Sequence, residues 1–435
     1  MNKHFLLPII AASLIVVGGC ASKASDGPGS AATVTVWHWM SDREDAFLEL
    51  AKKYEAQTGV RVKFDLYAPS ESYSQKVKAA AQTNTLPDVF GILGESRDLA
   101  SFIKSGFVAD LSDALAKDVT GSWRDRLFEK AFEVNQFKAG NSYGVTPGVY
   151  GIPLDMTTIQ FVYNKDLFAK AGLDPEAPPR TWQDFMNASR ALEEAGIQPL
   201  VSGFGEIWML DALSSNWAMN IMGEEKFFDT YRGKVKYTDP DWVQVLSLFK
   251  EMTDEGVIIP GAVTMVNKTA EQTFANGRAA MAFNGSWCVN VYKGMNPALN
   301  YGAFLPPQVS ASRTIKIWGG AGSSFMVNAR SARKDQATAF LKWLAEADQQ
   351  SFLANATNNL PANRKSLKDL SPILAQFADD IDNTTHPNVY PAHEDHRVLE
   401  AWSKGIQSIL IGEKTPEQVA QEVQTAKERE MSRKK

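Results

Sequence analysis

An α/β fold is what this sequence predicts, and three observations carry it. Short alternating apolar runs and amphipathic helical patterns follow one another in strand–helix–strand–helix order. Capping residues mark helix starts, and 44% hydrophobic residues in a chain of 435 can supply sizeable cores. On length alone, two to three bodies are expected.

The elements follow in order. Val34, Val36 and His38 alternate with Thr35, Trp37 and Trp39 as a first strand ending in aromatics. Ser41 and Glu44 read as a capping box for a helix that buries Phe47, Leu50, Ala51 and Tyr54 and stops at Gly59. Val60 to Leu66 alternate as a second strand, a helix spans Lys76 to Gln82, and Asp88 to Leu93 is a third strand. In such sheets ligands lie beyond the carboxyl ends of the strands, here Trp37-His38-Trp39 and Gly94-Glu95-Ser96. Farther on, Thr158 to Tyr163 has the β-branched and aromatic content of a buried strand. Asn164 caps the next helix and Gly172 stops it. Thr181 with Asp184, and Asp239 with Pro240, open two more helices.

Composition bounds the function. A formal net charge of −5 points to no nucleic-acid partner, and two cysteines, Cys20 and Cys288, build no disulfide framework. Cys288 reads as a small buried apolar residue. Neither a P-loop nor a nucleophile elbow is present, and no cofactor or metal is predicted. The N-terminus reads as a signal: Lys3 and His4 precede the apolar run Phe5–Val17, and Val17-Gly18-Gly19-Cys20 reads as a bacterial lipobox. Cleavage after residue 19 would leave a lipid on Cys20 and a flexible tether over 20–32.

Five stretches then share one resemblance. Tyr150-Gly151-Ile152-Pro153 followed by Tyr163-Asn164-Lys165-Asp166-Leu167-Phe168 and Pro178-Pro179-Arg180-Thr181-Trp182 is one of them. The opening around Leu50–Val62 with Leu86-Pro87-Asp88-Val89-Phe90 is another, and Phe274 to Trp287 (FANGRAAMAFNGSW) is the most distinctive. The segment from Gly319-Gly320 through Phe340-Leu341-Lys342-Trp343-Leu344 and the C-terminal part around Ala401-Trp402 complete the set. Together they resemble the extracellular sugar-binding proteins of ABC transporters, the family that includes maltose-binding protein.

The resemblance implies a two-lobed, periplasmic-binding-protein-like fold with discontinuous lobes joined by a hinge. It sets residues 33–152 plus 321–365 in an N-terminal lobe and 153–320 plus 366–430 in a C-terminal lobe. It implies a monomer that binds a carbohydrate between the lobes and hands it, unaltered, to the permease subunits of an importer, outside the cytoplasm and anchored to the membrane at Cys20. Sugar recognition needs flat apolar faces for C–H groups and planar polar groups for hydroxyls. The stacking candidates are Trp208, Trp287, Trp318 and Trp402, with Trp37, His38 and Trp39 at the end of the first strand. The hydrogen-bonding candidates are Glu95, Asp155, Thr157, Asp211 and the backbone of Gly319 and Gly320. His393 is placed against the ligand, although His393 and His396 with the carboxylates between them could also share an ion. Two other readings stay open: the same fold with glycerol phosphate or a polyamine, and a surface glycoside hydrolase using paired carboxylates.

Overall fold

The computed structural model describes residues 33–433, apart from positions 69, 94–95, 117–122 and 142. The expected signal segment, Cys20, the expected tether and Glu95 lie outside the described residues.

Two sheets organise the chain. The first has the strand order β2-β1-β3-β12-β6. Its members are β1 (Thr33–His38), β2 (Arg61–Leu66), β3 (Val89–Phe90), β6 (Ile152–Pro153) and β12 (Ser324–Val327). Strands β2 and β3 run parallel to β1, whereas β12 runs antiparallel to β3 and β6. A separate hairpin pairs β4 (Gln136–Phe137) with β5 (Gly148–Val149).

The second sheet is built on the long strand β7 (Asp155–Asn164). Its neighbours are β9 (Met281–Gly285), β10 (Tyr301–Phe304), β11 (Ile317–Ala321) and β13 (Leu360–Pro361). Strands β8 (Leu200–Val201) and β14 (Thr384–Thr385) complete it at the edges. Nine of the ten residues of β7 are buried, as a central strand requires. Helices pack over both sheets, so each sheet centres one lobe.

Helix starts follow their caps closely. The Asn164 side chain accepts from the Asp166 and Leu167 amides, and Asp239 accepts from Asp241 with Pro240 in the first turn. Thr181 and Asp184 form the reciprocal box predicted. Ser41 departs from expectation. It begins a 3-10 turn, and the helix Glu44–Thr58 starts three residues later without a side-chain cap. The third strand is short, only Val89–Phe90, and helices span Lys334–Leu344 and Ala347–Thr357. Cys288 is fully buried.

The chain passes between sheets through adjacent strands. Strand β6 belongs to the first sheet and β7 to the second, with only Leu154 between them. Likewise β11 leads into β12 across Gly322 and Ser323. The two crossings bond each other: the Leu154 amide donates to the Ser323 carbonyl at 2.8 Å, and the Gly322 amide to the Asp155 carbonyl at 3.0 Å. One apolar cluster spans the junction, from Val34, Phe47 and Phe340 through Met156 and Leu360 to Val162 and Phe274.

Asp155 is the polar centre of this hinge. The residue is 3% exposed, and its carboxylate pairs with the Arg43 guanidinium and accepts the Ser323 amide. Burial pushes the carboxyl above its usual range, and Arg43 pulls it back. Arg43→Ala would leave that charge buried and unpaired, so a loss of about 3 kcal/mol in unfolding free energy is expected. Urea denaturation at pH 7 checks this; a loss below about 1 kcal/mol would mean that water replaces the guanidinium.

Candidate functional site

Three tryptophans from distant parts of the sequence meet on the second lobe. Trp208 sits in the first turn of the helix Ile207–Tyr231, Trp287 two residues after β9, and Trp318 on β11. Trp208 and Trp318 lie near-parallel, with centroids 6.2 Å apart and planes at 14°, and Trp287 tilts against Trp208 at 5.9 Å. All three are half-buried, so part of each indole is open to solvent.

Carboxylates hold two of these rings. The Trp208 Nε1–H donates to Glu206 Oε2 at 2.7 Å, and the Trp287 Nε1–H donates to Glu271 Oε1 at 3.1 Å. Asn267 ties the two acids together: its amide donates to Glu206 Oε1 at 2.6 Å and its side chain to Glu271 Oε1 at 3.1 Å. Asn284 donates to the same Glu271 oxygen at 3.1 Å. With their N–H groups bonded to protein, Trp208 and Trp287 can offer a ligand only their faces and edges.

The wall continues to His386, whose ring stacks on Trp318 at 5.6 Å and 17°. His386 also lines a chamber of about 220 Å³ between the lobes, together with Trp39, Asn135, Gly322 and Ser324. Trp39 lies over Gly91, where a Cβ would overlap the indole and come within 3.2 Å of the Ser324 carbonyl. The chamber shares Ser96, Val134 and Asn388 with a wider groove of about 940 Å³. That groove runs between Lys130–Tyr143 of the first lobe and Thr384–His393 of the second. The lobes touch there, since Ser96 Oγ donates to the Asn388 carbonyl at 3.0 Å and the Tyr143 and His393 rings lie 6.4 Å apart.

The remaining candidates fall elsewhere, for physical reasons. Trp402 is 3% exposed and packs edge-on to Trp242 at 5.0 Å in the second-lobe core, with its N–H on Ser214. It is a core residue, because its face of the helix His396–Leu410 turns inward. His38 is fully buried between Phe47 and Phe64, and burial, then Arg43, push its imidazole down to about 4. Strand alternation puts it on the inner face of β1, away from solvent. Asp155 is taken up by the hinge. Trp37 lies edge-on to Tyr67, with the Lys76 ammonium 4.5 Å above its ring.

Gly319 and Gly320 are strand residues opposite Thr158 and half-buried Thr157. A Cβ on Gly319 would strike the Thr157 carbonyl, so that glycine serves close strand packing, whereas Gly320 is required by its φ of +133. His393 is exposed on the groove. Its neighbour Glu394 turns inward to Lys427 at 2.6 Å, and Asp395 caps the following helix. The loop is therefore bolted to the C-terminal helix. Asp211 faces a void of about 10 Å³ lined by Ser214, Tyr237, Trp242 and Trp402.

His386, Glu206, Glu271 and Asn267 are the residues that sequence reasoning missed. Glu206 stands two positions before Trp208, the one local signal available. His386 precedes a proline and matches no motif.

The comparisons agree with this architecture. Residues 40–351 match the family model described as bacterial extracellular solute-binding protein. The melibiose/raffinose/stachyose-binding protein MelE of Bacillus subtilis is 22% identical over 84% of this chain and 82% of its own. The sn-glycerol-3-phosphate-binding periplasmic protein UgpB of Shigella flexneri is 28% identical over 49% of this chain and 48% of its own. A solved structure titled chitin oligosaccharide binding protein superposes with a TM-score of 0.72 at 23% identity, covering 92% of this chain and 99% of that one.

Burial pushes the Asp211 carboxyl up to about 6. The folded form therefore holds a proton that the unfolded chain, near 3.8, has released, and stability rises as the pH falls from about 6 towards 4. Asp211→Asn is expected to remove that rise from a pH series of melting temperatures. An unchanged slope in the variant would mean that the carboxyl titrates as a solvated group.

Proposed function

The chain belongs to the bacterial extracellular solute-binding protein family, and on that premise we propose that it is the capture component of a carbohydrate ABC importer. A mono- or oligosaccharide would lie between the lobes, be held by lobe closure and pass unaltered to the permease. The lipobox at Cys20 would tether the protein at the outer face of the membrane.

The half-buried triad of Trp208, Trp287 and Trp318 is the observation that carries this reading. Sugar rings present C–H faces that pack on indoles, each such contact being worth about 1 kcal/mol beyond the area it buries. The partly exposed carboxylate of Glu206, beside Trp208, suits a hydroxyl donor. A phosphorylated solute asks for an uncommitted cation. In the groove Lys130 pairs with Glu133, Lys316 with Glu224 and Arg232 with Asp229, whereas Lys138 lines it with no ion pair among the described residues, so the charge of the ligand is left to the screen below.

Closure follows from differential contact. A ligand that touches Trp39 on one lobe and the tryptophan wall on the other binds the closed form better and shifts the population towards it. The hinge supplies the pivot, with β6–β7 and β11–β12 crossing side by side.

A thermal-shift screen of neutral mono- and oligosaccharides, glycerol 3-phosphate and spermidine tests the ligand class. A neutral sugar should raise the melting temperature and be recovered unchanged; released products would make the protein a hydrolase. A shift from glycerol 3-phosphate or spermidine alone would overturn the sugar reading. Trp287→Ala should abolish the response to the sugar while the fold persists. Trp402→Ala should instead destabilise the fold by roughly 3–5 kcal/mol.

A further inference from the structure

Resting on the carbohydrate reading of the cleft, we propose that His386 is a specificity-determining ligand contact. It is a fixed N–H donor on the second lobe that hydrogen-bonds a hydroxyl or ring oxygen of a sugar held against Trp39 and the tryptophan wall.

Geometry sets the tautomer. The His386 Nδ1 accepts the Asn388 amide at 3.1 Å, so in the neutral ring the proton sits on Nε2. Among the described residues Nε2 has no protein partner, and the ring borders the chamber that Trp39 closes from the other lobe. Burial pushes the imidazole down to about 4, which keeps it neutral at ordinary pH and leaves Nε2–H a donor only.

The ring is also held still. Trp318 lies flat against it, and Pro387 begins the short turn that follows. The loop is fastened by Ser96 on Asn388 across the lobes and by the buried Glu394–Lys427 pair farther along. A donor held this firmly loses little freedom on binding, so its hydrogen bond discriminates between sugars that do and do not place an oxygen there.

The experiment compares wild type, His386→Gln and His386→Leu by calorimetric titration with raffinose, stachyose, chitobiose, maltotriose and xylotriose. In parallel, the histidine ring nitrogens of 15N-labelled full-length protein are read by NMR. Expected are an Nε2–H tautomer at pH 7, an affinity loss of about tenfold or more in His386→Leu with its melting temperature retained, and partial rescue in His386→Gln. If wild type binds a sugar and His386→Leu binds it equally well, the role of His386 is overturned and the carbohydrate reading stands. An Nδ1–H or charged ring also overturns it. If no sugar of the panel binds wild type while glycerol 3-phosphate or spermidine does, both readings fall together.

Discussion

A buried carboxylate at the point where the chain changes lobes is the constraint on which the architecture turns. Asp155 begins the central strand of the second sheet, and its charge is tolerated there because Arg43 and the Ser323 amide meet it. Arg43 comes from the first lobe and Ser323 from the return crossing, so one side chain joins three segments. Backbone hydrogen bonds between the two crossings hold them in register.

That junction decides what the lobes can present to each other. With β11 beside β7, Trp318 is carried to the same face as Trp208 and Trp287, and Gly319, which follows it, lets the strands approach closely. Asn267 bridges the acids that hold the indoles of Trp208 and Trp287, so the two rings share one polar scaffold. On the proposed reading, a wall fixed in this way would lose little entropy to a ligand stacked on it. The loop with His386 is secured from behind by Lys427, whose ammonium also reaches the Tyr231 carbonyl at 2.7 Å. A buried pair of this kind matters more for where the loop sits than for net stability.

Much of the fold was legible because its signals are local. Capping at Asn164, Thr181 and Asp239 needs only a side chain and the amides two or three residues on, and all three behave as their spacing predicts. Ser41 shows the limit of such reasoning. A polar residue at the correct spacing does not cap when the chain enters through a 3-10 turn. Alternation in β1 likewise announced a strand but not which face holds the cleft: His38 points into the core, whereas Trp39, one residue on, borders the chamber.

By itself, the sequence determined the α/β character, the helix starts, the aromatic supply and the five stretches that mark the family, since each depends on residues close together in the chain. Only the tertiary structure decided which tryptophans form a wall and which fill a core. Trp402 and Trp287 look alike in sequence, yet one is packed against Trp242 and the other keeps an open edge. The physical reason is that exposure is set by how helices and strands from different lobes cover one another, and no spacing rule contains that information. His386 makes the same point in reverse: an unremarkable residue in a short loop stacks on Trp318 and lines the chamber that Trp39 also borders.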